Sequence, residues 1–132
     1  MLELTRKSDY AIRGMLYLAH QAEGRISLIS EIAAGALVPQ SFLGKILLNF
    51  SKIGLVRSTR GTGGGFTLGR PADTITLLDI VEAVEGSIKP NVCVLEDNMC
   101  GLQKACKVHP VWMRLRDEIR QTLGGVTLKE LA

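Results

Sequence analysis

The chain has 132 residues, with Lys+Arg 16 against Asp+Glu 13 and a formal net charge of +3. That length makes one domain, or one domain with an appended helix, and buries a core without disulfide staples. Residues 1–14 mix Glu3 and Asp9 with their bases and carry no long apolar run, so they are not expected to be a secretory leader.

The apolar run 32–38 is far too short to span a bilayer, so the expected setting is cytoplasmic, with no membrane partner. The three cysteines, an odd number in a reducing compartment, then point to ligands or redox chemistry rather than disulfides.

In chain order, Ile12, Met15, Leu16 and Ala19 fall at helical spacing after Ser8, which predicts a first helix over residues 9–22 capped by Ser8. Ser27 is expected to cap a second helix reaching Ala36, with Ile26 as a hydrophobic staple and Glu31 near its start. Pro39 opens a third helix over 39–52 whose core-facing stripe is Phe42, Leu43, Ile46, Leu47 and Phe50. Gln40, Ser41, Gly44, Lys45 and Leu48 lie off or beside that stripe, so the pair of helices has the form of a helix-turn-helix over 27–52.

Two β-rich runs, 55–60 and 66–68, then flank a turn holding Gly61, Gly63, Gly64 and Gly65. They predict a hairpin wing over 55–69, with Arg60 at the base of its loop. A nucleotide-phosphate loop is excluded, since there is no GxxxxGK[ST] pattern and no helix follows the glycines. Between Ile32 and Ala72 there is no Asp or Glu, while Lys45, Lys52, Arg57, Arg60 and Arg70 are positive. An acid-free window suits a surface facing phosphates, the alternative being a basic face that merely solvates.

Thr76 is expected to cap a fourth helix over 77–85 that buries Leu77, Ile80, Val81 and Val84 and ends at Gly86. Its acids Asp79, Glu82 and Glu85 would face away from nucleic acid. From Pro110 a long helix runs to Leu123, with Trp112, Leu115, Ile119 and Leu123 along one side. That stripe serves pairing with a second copy or packing within the monomer. Thr127 to Glu130 has the form of a capping box for a terminal turn.

Between these helices lie Cys93, Cys100 and Cys106, with His109 three residues beyond the last. Three thiols and an imidazole within 17 positions form a candidate metal or iron–sulfur site. There is no CxxC knuckle of the kind most zinc sites and bacterial ferredoxins show, and the spacers hold Glu96, Asp97 and Gly101. Such spacers suit a loop wrapped round a bulky cofactor. Thiolates at a helix start also gain from the positive end of its dipole. Structural zinc and a thiol redox switch remain alternatives. No catalytic site is expected, because Cys106 and His109 lack an orienting third group.

The segment Gly54-Leu55-Val56, the run from Arg60 through the glycines to Phe66-Thr67-Leu68 with Pro71, and residues 76–85 all resemble one family. With the three cysteines before Trp112, they make the chain similar over 4–131 to winged-helix transcription regulators that include the iron–sulfur regulator IscR and the nitric-oxide-sensing repressor NsrR. The fold implied is mainly α with a small β-hairpin wing: a winged helix-turn-helix over 1–88, a cluster loop over 89–109, and a dimerisation helix and tail over 110–132.

The resemblance further implies a cytoplasmic homodimer on double-stranded operator DNA, with helix 3 in the major groove. Arg60 would enter the minor groove, and Gln40, Ser41, Lys45, Arg57 and Gly63 are the other candidate contacts. Gly44 and Lys45 stand where IscR carries a glutamate and a glutamine, so its operator does not carry over. The spacing of Cys106 and His109 is similar to that in IscR and implies a 2Fe–2S cluster on Cys93, Cys100, Cys106 and His109. The NsrR-like alternative is 4Fe–4S, with the partner's Asp9 as fourth ligand. Gain or loss of the cluster would change DNA affinity by reporting iron, redox or nitric-oxide status. The alternative is a cysteine-redox or zinc-containing regulator without a cluster.

Overall fold

The computed structural model describes residues 3–90 and 106–132. Its elements are α1 (Arg6–His20), α2 (Ile29–Ala36), α3 (Gln40–Lys52), β1 (Val56–Thr59), β2 (Gly65–Leu68), a 3-10 turn (Ala72–Thr74), α4 (Leu77–Glu85), α5 (His109–Gly124) and α6 (Leu128–Leu131). The two strands pair antiparallel, with Val56 opposite Leu68 and Thr59 opposite Gly65. The architecture is the expected mainly helical one, a helix-turn-helix with a hairpin wing and a late helix. Among the described residues, no single helix is long and apolar enough to cross a membrane.

The core forms where apolar faces of α1, α2, α3 and α4 meet beneath the hairpin. Met15, Ile32, Leu43, Ile46, Leu47, Phe50, Ile75 and Ile80 are all fully buried there. Each such side chain contributes roughly 1.5–3 kcal/mol on leaving water. The fourth helix has the bounds its sequence predicts. Thr76 accepts the Asp79 N–H at 3.1 Å, Asp79 accepts the Thr76 N–H at 3.0 Å, and Gly86 ends the helix at φ 82°. Leu77 and Val84 are only half-buried, whereas Ile80 and Val81 are buried as expected.

Two expected caps are corrected. α1 begins at Arg6, three residues early, because Thr5 caps it by accepting the Ser8 N–H at 3.3 Å. Ser8 is buried inside the helix and donates its hydroxyl to Glu85, the last residue of α4, at 2.6 Å. The other end comes at His20 rather than Ala22. Ser27 is buried and does not cap α2; its backbone pairs with Phe66 in both directions, at 2.9 and 2.8 Å. α2 starts after Leu28, whose N–H is accepted by Glu31 at 3.2 Å, and Ile26 is left exposed instead of stapling the helix.

The pairing at Ser27 ties the wing to the start of the helix-turn-helix. It also explains Gly65, where a Cβ atom would fall 2.2 Å from the Ser27 carbonyl oxygen. Pro39 is the cap of α3 rather than its first residue. Phe42 is corrected too. It is 56% exposed rather than in the core stripe, and its ring lies 6.0 Å from that of Tyr10 on α1.

The chain's end closes the core from below. Thr127 caps α6 by accepting the Glu130 N–H, as the capping-box pattern predicts. Leu128 is fully buried, and its N–H donates to Ile75 while that of Leu77 donates to Val126. α5, the longest helix, differs from every other α-helix in that none of its residues is fully buried.

Candidate nucleic-acid interface and metal centre

At 100° per residue, the buried Leu43, Ile46, Leu47 and Phe50 define one side of α3. The opposite side carries Ser41, Lys45, Leu48 and Lys52, all exposed. Gln40 is exposed beside them. Gly44 is half-buried, and a Cβ there would lie 3.3 Å from Ile29 Cδ1, so it is a point of close α2–α3 packing.

The turn into α3 is held by Arg13. Its Nη1 donates to the carbonyls of Ala36 and Leu37 at 3.3 and 2.9 Å, where a cation also meets the negative end of α2. The same guanidinium grips Asp9 through Nη2 at 2.6 Å and Nε at 3.1 Å, and lies 5.1 Å above the Tyr10 ring. Asp9, the alternative cluster ligand, is thus ion-paired within its own subunit.

In the wing, Arg57 and Arg60 are exposed, and the loop between the strands turns through Gly61 and Gly63 at φ 94° and 77°. Both angles lie in the left-handed region that glycine enters without strain. Arg70 is spoken for, since it pairs with Asp79 at 2.7 Å and fastens the wing's end to α4. Among the described residues, Lys45, Lys52, Arg57 and Arg60 form no ion pair. The acids of α4 all have partners: Asp79 with Arg70, Glu82 with Arg120 at 2.5 Å, and Glu85 with Thr5 and Ser8.

Glu85 is the functional-looking group that pattern reading missed. It accepts the Thr5 N–H at 3.0 Å, the Thr5 hydroxyl at 2.5 Å and the Ser8 hydroxyl at 2.6 Å, which joins the start of α1 to the end of α4. Hydrogen bonds from the Ser8 and then the Thr5 hydroxyl hold its carboxyl below the ordinary value. Its partners are 77 and 80 residues away, so no local signal reveals them.

Of the candidate metal ligands, Cys106 and His109 lie among the described residues, close together in sequence at the start of α5. Cys106 is half-buried just ahead of α5, and His109 is that helix's half-buried first residue, with Pro110 in the first turn. Cys93 and Cys100 lie outside the described residues. A thiol and an imidazole at a helix N-terminus fit iron or zinc in donor chemistry and in the sign of the local field. Beyond them, Leu115, Ile119 and Leu123 of α5 face Leu4, Val81 and Ile88 across an open cleft of about 590 Å³.

Residues 4–132 match the Rrf2 family, described as iron-dependent transcriptional regulators. The chain is 34% identical over 131 residues to the HTH-type transcriptional regulator IscR of Xenorhabdus nematophila, covering 98% of this chain and 79% of that one. Among solved structures it is similar to CymR, the global cysteine regulator of B. subtilis, with TM-score 0.79 and 32% identity over 100% of this chain and 97% of that one. T. potens IscR gives TM-score 0.75 and 26% identity, covering 98% and 85%. The oxidized form of Staphylococcus aureus CymR gives 0.74 and 28%, covering 99% and 96%.

Proposed function

This chain belongs to the Rrf2 family of transcriptional regulators, and from that premise we propose that it is a homodimeric, cluster-sensing repressor or activator of operator DNA. The outward side of α3, with Gln40, Ser41 and Lys45, enters the major groove. Arg57, Arg60 and Gly63 of the wing lie along the adjoining backbone and minor groove, where unpaired cations displace counterions and a narrow groove attracts arginine. Cys93, Cys100, Cys106 and His109 hold an iron–sulfur cluster, 2Fe–2S in the preferred form. When bound, that cluster supplies reversible redox chemistry and sensitivity to iron and nitric oxide.

The observation that carries this proposal is the place of Cys106 and His109, both half-buried, at the start of a long helix that has no fully buried residue. Ordering of the ligand loop sets the angle of α5, and through a paired α5 the spacing of two winged parts. The 4Fe–4S form with the partner's Asp9 would have to share that carboxylate with Arg13, which already holds its Oδ2 through Nε and Nη2.

Likeness to the CymR structures favours a second reading, in which the cysteines respond to oxidants with no cluster. Anaerobic purification, followed by an absorption spectrum, iron and sulfide analysis and native mass, separates the two. Visible charge-transfer bands with stoichiometric iron and sulfide in a dimer are expected. Loss of the bands in His109→Ala, with Asp9→Ala unaffected, assigns the fourth ligand. A colourless protein lacking iron and sulfide, or holding one zinc per chain, contradicts the cluster.

A further inference from the structure

The outward side of α3 carries one leucine set among polar and basic residues. Leu48 is 55% exposed, yet it lies on the side of α3 opposite the buried Leu43, Leu47 and Phe50. It stands between Lys45 and Lys52 on the same outward stripe as Ser41. Among the described residues neither lysine is ion-paired, so the leucine is framed by free cations rather than by an apolar patch. That combination does not suit a protein partner, which would meet a broader apolar surface with fewer charges at its centre. It suits a polyanion that presents one small apolar group at a fixed place. Duplex DNA does this in the major groove, where the thymine C5-methyl is the apolar feature and guanine O6 and N7 accept from lysine.

We propose that Leu48 is a specificity-determining residue that reads a thymine methyl in each operator half-site, beside a guanine bound by Lys45. The inference deepens the DNA-binding reading and rests on it. Three residues of helix separate the two side chains by about 4.5 Å along the axis. One base step is about 3.4 Å along a strand. The thymine is therefore the neighbour of the guanine, or one step beyond it. Phe42 does not compete for this role, because its ring is turned aside onto Tyr10. Ser41 lies one turn before Lys45, nearer the start of α3, and contacts the next bases or phosphates.

The test uses the full-length protein and duplexes selected from a random-sequence pool. Each thymine of a selected duplex is replaced in turn by deoxyuridine, which removes the methyl group and leaves every hydrogen bond. At one thymine per half-site, wild-type binding should weaken about fourfold, the change carried by burying one methyl group. Leu48→Ala should bind the thymine and deoxyuridine duplexes alike at that position, while Lys45→Ala keeps the methyl dependence and loses the guanine preference. Leu48 is exposed and helical, so its alanine variant folds; circular dichroism checks this. A wild type indifferent to every methyl, or a Leu48→Ala protein as sensitive as wild type, overturns the inference while leaving DNA binding intact. Failure to enrich any duplex overturns the DNA-binding reading itself, and the role of Leu48 with it.

Discussion

α4 and α5 are neighbours joined by the Arg120–Glu82 pair, and both are amphipathic, yet they reach opposite ends. α4 buries Ile80 and Val81 and has capping contacts at its start and a glycine stop at its end. α5 is nearly twice as long and has no fully buried residue. The difference marks where the chain is complete by itself. The helix-turn-helix, wing, α4 and α6 share one core, whereas Leu115, Ile119 and Leu123 line a cleft that stays open.

Substitutions on the two sides of this divide should fail in different ways. Phe50→Ala, in the closed part, removes a side chain that is 1% exposed and should cost about 3–5 kcal/mol. Chemical denaturation should then show a large loss of stability at any protein concentration. Ile119→Glu, in the open part, should leave the denaturation curve of the dilute protein nearly unchanged. It should weaken self-association by at least about thirtyfold, the loss of one strong interface contact, in sedimentation equilibrium. A destabilised monomer with unchanged association would mean that α5 packs on its own subunit.

The same divide explains what the sequence showed and what it hid. α4 was legible because Thr76, Asp79 and Gly86 act within one turn of the helix they bound. The surplus stripe of α5 was legible as a stripe, but its two possible uses looked alike. Ser8 and Ser27 have the local pattern of caps, but a serine before an apolar run is a good cap only if nothing distant claims it. Glu85 claims the first and Phe66 the second, and neither is visible in a local window. Phe42 was misassigned because spacing alone cannot tell a core ring from one that lies across a neighbouring tyrosine. Leu128 was seen only as part of a terminal turn, although it seals the core beside Ile75. The place of Cys106 and His109 at the start of α5 is legible from Pro110 and the apolar repeat that follows it.

Smaller effects refine the contrast. Arg60→Ala, within the complete part, should leave self-association alone while weakening operator binding about tenfold and lowering the salt slope by about 1. Unchanged affinity and slope in fluorescence anisotropy would remove the wing arginine from the interface.

Glu85 sits on the divide, since it joins the start of α1 to the end of α4. Its carboxyl titrates below the ordinary 4.5 when folded. Its contribution is therefore full above pH 4.5 and is lost as pH falls through the depressed folded value. Thermal melts of wild type and Glu85→Gln should differ at neutral pH by less than about 1 kcal/mol, because the group stays solvent-accessible. The two should converge at acid pH; a gap that widens there would contradict the assigned hydrogen bonds.

The most direct measurement is an anaerobic operator titration by the same dimeric protein before and after its iron is removed by chelation. Sensing through the ligand loop predicts that operator affinity changes between the two states by about 5–150-fold, with no change in the mass of the dimer. Equal affinities, with the dimer intact in both states, would contradict it.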